Sequence, residues 1–311
     1  MAITVIAIGG NSLIREKERG SFPDQMVTLR SSCAPIAELV QKDERVLITH
    51  GNGPQVGFVL LRSHLARMRL PEIPLDAANA QTQAEIGYMI QQVLGNEFRR
   101  MGISKRVVTI VTQVVVDSND PSFSSPSKPV GPFYTRQEAV RLQQELGWVV
   151  NEDAGRGFRR FVPSPEPKTI VEIGEIRRLV EAGAVVIAGG GGGIPVVEEN
   201  GRLRGVAAVI DKDLVSALLG NLVGAGRLVI STAVECVYLN YRRADARQLR
   251  RVTAGEMESY LAAGHFPEGS MGPKVRAALQ FLKRGGKEVF ITDPEHILES
   301  LVGKAGTAIV P

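Results

Sequence analysis

The sequence predicts an α/β protein built on a largely parallel sheet, and three observations predict it. Short β-branched runs recur at residues 3–8, 45–49, 107–113, 185–188, 227–231, 288–291 and 307–310. Longer stretches of helical periodicity separate them, the alternation that parallel strands and crossover helices leave in a sequence. Glycine-rich turns follow the first two runs directly, at Gly9-Gly10 and Gly51-Asn52-Gly53, and an open α/β sheet carries its ligands beyond the carboxyl ends of its strands.

Taken in order, the first strand stops at paired glycines. Met26, Leu29, Cys33, Ile36 and Val40 then recur at spacings of three and four, the stripe of a helix. Pro35 implies a kink or a late start there. Residues 80–101 form a second, long helix. Residues 117–167 break the rhythm with Pro121, Pro126, Pro129 and Pro132. That segment is too long for an ordinary connection. Because it holds Trp148 and Phe158, which could anchor a miniature core, an ordered flap is expected. The glycine run 189–193 leads into Ile194-Pro195-Val196-Val197 and a hairpin at Asn200-Gly201. Further helices are expected at 214–222 and over Met271, Val275, Ala278, Leu279 and Leu282.

At 311 residues the chain suits one large domain or two lobes. Its 44% hydrophobic and 23% charged content is that of an ordinary globular protein. The net charge of +4 is spread thinly, without the basic runs interleaved with aromatics that nucleic-acid binding calls for. Cys33 and Cys236 lack metal-ligand spacing and are expected to be buried thiols of an intracellular protein. The amino terminus has no basic region before its short apolar run, so a cytoplasmic location is expected.

Three segments carry the chemistry. In Gly9-Gly10-Asn11, glycines let backbone N–H groups approach a phosphate, and a helix opening after them would add its dipole. His50-Gly51-Asn52-Gly53-Pro54-Gln55 repeats the arrangement, with proline suited to a first helical turn and amides suited to a small carboxylate-like substrate. Lysine is the scarcer cation here, ten residues among the 37 lysines and arginines. Yet Lys212 lies between Asp211 and Asp213 at the head of one helix, and Lys274 falls in the first turn of another, after Ser270 as a plausible N-cap. A cation there opposes the helix dipole by about 0.3–1 kcal/mol, and a bound polyphosphate outweighs that mismatch. Lys128, on a proline-stiffened stretch of the flap, reads in isolation as a solvated lysine. Arg156, Arg159 and Arg160 read as a solvated face or local ion pairs, and His50 as a structural hydrogen bonder or a substrate contact. No P-loop, protein-kinase loop or Rossmann fingerprint is present, the 189–193 run lacking the helix that last motif needs. The residues point to a kinase of small molecules with a split nucleotide site.

These segments, with Thr112–Asp117, the Lys128 segment, Glu152-Asp153-Ala154-Gly155-Arg156-Gly157 and His265-Phe266 leading to Lys274, resemble the carbamate kinases of the amino-acid kinase superfamily from end to end. The Lys128 and Glu152–Gly157 segments are the ones specific to carbamate kinases. The resemblance implies an open αβα sandwich with a mostly parallel central sheet of about eight strands and a small protruding lid subdomain at 117–167. It implies an acceptor-binding lobe over residues 1–210 and a nucleotide-binding lobe over 211–311. The implied reaction is reversible phosphoryl transfer between ATP and carbamate, with Mg²⁺ carried by ATP or ADP, in a homodimer.

Carried over residue by residue, Gly9, Gly10 and Asn11 match the loop around the transferring phosphoryl group, and Gly51, Asn52 and Gly53 the carbamate loop. Lys212 and Lys274 match the lysines on the ATP phosphates, Asp213 the carboxylate orienting them, and Lys128 the lid lysine. Thr232, Ala233, Val234, Tyr241, His265 and Phe266 match the surroundings of adenine and ribose. Ser12, Gly272 and Glu235 depart from the family pattern, the last putting the fine geometry near the nucleotide in question. Alternatives are a superfamily enzyme that phosphorylates an amino-acid carboxylate, such as an acetylglutamate kinase, and an inactive nucleotide- or metabolite-sensing homologue. Arginine fermentation, purine or allantoin breakdown and carbamoyl-phosphate supply are all open as pathways.

Overall fold

The computed structural model describes residues 3–10, 13–14, 20–153 and 157–311. Strand β1 (Ile3–Ile8) is buried throughout. Helix α1 (Phe22–Gln41) starts earlier than its apolar stripe. Ser21 and Asp24 form a reciprocal capping box that nucleates it, and the helix runs on through Pro35, which forgoes one backbone bond among 20 residues. Strand β2 (Arg45–His50) leads into α2 (Gly53–Ala66) and α3 (Leu75–Met101), the latter beginning five residues before the expected start.

The apolar run expected as one strand at 107–113 is divided between two sheets. Strand β3 (Val107–Thr109) ends the central sheet, and β4 (Gln113–Val116) enters a second one. Gln83 of α3 explains the break. Its side chain accepts the Thr112 N–H at 2.8 Å, taking the donor a continuous ladder would have used. It also donates at 3.2 Å to the Thr112 carbonyl, which still accepts the Ile194 N–H.

The flap is ordered across its described residues. It comprises β5 (Lys128–Tyr134), α4 (Arg136–Leu146), β6 (Val149–Glu152) and β7 (Phe158–Val162), the strands pairing antiparallel in the order β5-β7-β6. Its buried apolar residues are Val130, Ala139, Leu142, Val150 and Val162. Trp148 and Phe158, expected at its centre, are only half buried. Trp148 lies at the border with α2, its ring 4.4 Å from the Arg160 guanidinium and 6.4 Å from the His64 ring. Arg159 pairs with Asp153 at 3.1 Å, a local ion pair as expected.

Beyond the flap come β8 (Pro167–Ile170), α5 (Ile173–Glu181), β9 (Val185–Ile187) and the hairpin β10 (Ile194–Glu199) and β11 (Arg202–Gly205). Asn200 and Gly201, with φ of 51° and 71°, make the expected tight turn. The rest is α6 (Lys212–Leu222), β12 (Arg227–Ser231), β13 (Val237–Leu239), β14 (Arg247–Leu249), β15 (Arg251–Thr253), α7 (Ala254–Ala262), α8 (Met271–Lys283), β16 (Glu288–Thr292), α9 (Ile297–Leu301) and β17 (Thr307–Val310).

The central sheet has eight strands in the order β15-β17-β16-β12-β1-β2-β9-β3, and only β16 and β17 pair antiparallel. Alternate residues face opposite cores. Val5, Leu47, Leu228 and Ile230 pack with α5, α6, α7 and α8, while Ile6, Ile48 and Val229 pack with α1, α3 and α9. Each fully buried Leu or Ile in these layers contributes about 1.5–3 kcal/mol. The result is the αβα sandwich expected. The carboxyl ends of β1, β2 and β12 stand side by side, so the loops that follow them meet.

Candidate active site

Gly9 must be glycine because a Cβ there would lie 2.7 Å from the Ser231 carbonyl oxygen at the end of β12. The next loop is as close. The Gly51 N–H donates to the Ile8 carbonyl at 3.0 Å, and a Cβ on Gly51 would sit 3.3 Å from the Gly10 nitrogen. After Gly10 the chain makes a turn in which the Leu13 and Ile14 N–H groups donate to its carbonyl. The helix expected to open after this loop falls largely on residues outside the described ones. Asn11, Ser12 and Arg156 lie outside the described residues.

Asn52 stands at the N-cap of α2 yet makes no cap bond. Its side-chain amide donates instead to Asn79 Oδ1 at 2.5 Å and Thr82 Oγ1 at 2.8 Å, both on α3. The first N–H groups of α2 are therefore left without a side-chain acceptor, and such groups bind anions. Asn79 in turn donates to the Gly193 carbonyl. The glycine run beneath is packing, not a phosphate loop. A Cβ on Gly191 would meet the Asn52 amide at 2.2 Å, and one on Gly190 the His50 ring at 2.4 Å. Asn79 and Thr82 are site residues that sequence reading missed. Their signal was a polar i, i+3 pair inside an otherwise core-facing helix.

His50 is buried with its Nδ1 3.1 Å from the Gly51 carbonyl. Burial pushes its pKa down to about 4, a fall that the Gly51 bond resists and nearby Lys212 reinforces. The ring is neutral near pH 7 and holds the loop.

Three lysines from distant parts of the chain converge on the head of α6. Asp213, almost fully buried, accepts Lys212 Nζ on one carboxylate oxygen at 2.6 Å and Lys274 Nζ on the other at 2.9 Å. Burial alone would raise this carboxyl, but the two ammonium groups outweigh it and hold it well below the usual carboxylate range. Burial lowers the Lys212 pKa, partly offset by Asp213. Burial also works against Lys274, but Asp213 prevails and raises it. Lys128 Nζ donates to Asp211 Oδ2 at 2.8 Å. Asp211, whose contact with Lys128 was not foreseen, also caps α6 by accepting the Asp213 N–H at 2.9 Å. Three ammonium groups thus face two carboxylates, leaving one net positive charge. The Lys212 stem crosses the second loop, its Cδ 3.6 Å from where a Gly51 Cβ would be.

Lys274 is placed by α8, whose head is not capped as expected. Ser270 occupies the N-cap position without a side-chain bond, and the Pro267 carbonyl accepts the Ser270 and Gly272 N–H groups. Phe266 is buried in the core below this turn, and His265 stands edge-on to Tyr260 at 5.9 Å. Thr232, Ala233 and Val234 follow β12, the Thr232 N–H bonding the Thr292 carbonyl of β16. Tyr241 lies beyond β13, exposed, its ring 5.5 Å from Tyr238. Glu235 is paired with Arg250 at 2.5 Å. A carbon longer than aspartate, it spans to a cation across the hairpin base.

Among the described residues no group of three His, Cys, Asp or Glu side chains is placed to hold a metal ion, and Cys33 and Cys236 are free and buried. No described helix is long and apolar enough to cross a membrane. The site can bind a polyanion between backbone amides and lysines.

The sequence matches the family model described as the amino acid kinase family over residues 2–293. It is 51% identical to carbamate kinase from Pyrococcus horikoshii over 309 residues, 99% of this chain and 98% of the relative. Carbamate kinase from Trichomonas vaginalis is 44% identical, covering 99% of each chain. The structure of carbamate kinase from Giardia lamblia bound to AMP-PNP superposes with a TM-score of 0.94 at 42% identity, covering 99% of this chain and 98% of that one.

Proposed function

The chain belongs to the amino acid kinase family, and we propose that it acts as a carbamate kinase, moving a phosphoryl group reversibly between ATP and carbamate. The observation that carries this reading is the buried Lys212–Asp213–Lys274 bridge facing the uncapped head of α2. Phosphoryl transfer asks a protein for positioning and electrostatic stabilisation more than for covalent chemistry. Carbamate offers an oxygen that is already ionised. A general base is therefore unnecessary, in keeping with a His50 whose burial resists protonation and whose Nδ1 is engaged with the Gly51 carbonyl.

In this reading Lys212 and Lys274 meet the nucleotide phosphates and stabilise charge on the bridging and equatorial oxygens in the transition state. Asp213 keeps both ammonium groups aimed at that point. Gly9, Gly10 and Asn11 surround the transferring group, Gly51, Asn52 and Gly53 hold the acceptor, and Lys128 reaches it from the flap. The nucleotide lies over Thr232–Val234 and beside His265, with Phe266 backing that turn from the core and Tyr241 further out. This puts acceptor binding in residues 1–210 and nucleotide binding in 211–311. Mg²⁺ comes with the nucleotide, keeping waters and phosphate oxygens as ligands.

The molecule works as a cytoplasmic homodimer in arginine metabolism. Supporting self-association, β3 is an edge strand of the central sheet, and beside it a hollow of about 720 Å³ is lined by Tyr88, Gln92, Asn96 and Arg99.

The purified protein should form ATP from ADP, Mg²⁺ and carbamoyl phosphate, and should not phosphorylate N-acetylglutamate. ADP binding without ATP synthesis would leave a sensing homologue, and acetylglutamate phosphorylation would reassign the acceptor.

A further inference from the structure

Among its described residues the flap meets the rest of the molecule in several ways, four of which bear on the site. Val130 and Val162 join Val56, Val59, Leu75 and Ala78 in an apolar seam. Gly131 of β5 packs on α2 so closely that a Cβ on Gly57 would lie 3.4 Å from the Gly131 Cα. The Pro163 carbonyl accepts the Val209 N–H at 3.0 Å. These fasten its base. The fourth link, Lys128 to Asp211, joins the flap to the charged site itself.

We propose that Asp211 is a positioning residue, tying the flap to the head of α6 through Lys128 and setting where that ammonium meets the incoming anion. This rests on the carbamate kinase reading. The two oxygens of Asp211 have separate tasks, Oδ1 capping α6 and Oδ2 holding Lys128. Its side chain is 13% exposed and that of Lys128 37%, so the carboxylate is the fixed partner and the ammonium the one an anion can reach. An ammonium has three donors. Lys128 therefore keeps Asp211 while it takes a phosphate or carboxylate oxygen.

Asp211→Asn separates the two tasks, because asparagine caps a helix as well as aspartate does but lacks the charge that holds Lys128. In hydrogen exchange of the free protein, amides of residues 128–134 should exchange at least about fivefold faster in the variant, with those of 214–218 unchanged. Lys128→Met, which breaks the same link from the flap side, should reproduce that pattern. Unchanged exchange in 128–134, or equal loosening of 214–218, overturns the proposal. In ATP synthesis, Asp211→Asn should raise the KM for carbamoyl phosphate about tenfold and leave the KM for ADP within about twofold. In a Lys128→Met background the substitution should change little. Effects that simply multiply contradict the link. Wild-type protein that makes no ATP would sink the carbamate kinase reading, while the exchange experiment would still decide on the tie.

Discussion

Two helix heads face the same site and are built in opposite ways. The head of α2 is stripped. Its N-cap residue Asn52 turns its side chain away to Asn79 and Thr82, and the first turn carries no acidic side chain. The head of α6 is crowded, capped by Asp211, carrying Lys212 and Asp213, and receiving Lys274 from α8 and Lys128 from the flap. Under the proposed function the difference is a division of labour. Fixed amides with an open dipole suit a small acceptor that binds in one place. Long ammonium side chains suit phosphoryl oxygens whose charge shifts during transfer.

The largest expected effect strikes the crowded head. Lys274→Ala removes one of the two ammonium groups on Asp213 and should lower kcat at least about a hundredfold, with the circular dichroism spectrum unchanged. A loss confined to KM would move Lys274 out of the transition state. Next, Asn79→Ala attacks the stripped head by loosening Asn52, left with Thr82 as its partner on α3, so that it can turn to cap α2 and occupy its amides. The KM for carbamoyl phosphate should rise about tenfold while that for ADP stays put, and stability should fall by about 1–3 kcal/mol. An ADP effect of equal size would show that the two heads are not separate devices.

A third test is pH. The folded pKa of His50, at about 4, is below the ordinary 6.5. Between those values the unfolded chain takes up a proton that the folded chain refuses. Stability is therefore full above pH 6.5 and falls as pH drops towards 4, by on the order of 3 kcal/mol. His50→Gln should flatten that part of the curve in urea unfolding at stepped pH, and an unaltered slope would mean another group is responsible. The smallest effect is expected at the third head. Ser270 makes no cap bond on α8, so Ser270→Ala should shift stability by less than about 0.5 kcal/mol. A loss near 1 kcal/mol, typical of a removed cap, would contradict that geometry.

What could be read in the sequence follows the range of the interactions. Strand runs and helical stripes report burial within a few residues, and β1, β12 and β17 run over the residues expected. The run 107–113 was misread because Gln83, far off in sequence, decides where its ladder breaks. Lys212 and Asp213 were legible because they are neighbours at a helix head. The Lys128–Asp211 pair spans 83 residues and the Asn52–Asn79 bond 27, distances no local pattern records. Ser270 had the residue type of a cap, but the turn at Pro267 already supplies the carbonyl that organises α8.

The most direct test is steady-state ATP formation from ADP and carbamoyl phosphate by the wild type and Lys212→Ala. The wild type should turn over robustly, and the variant should lose at least about a hundredfold in kcat while still folding and binding ADP. Near-normal turnover in the variant would contradict the claim that the charged head of α6 drives the transfer.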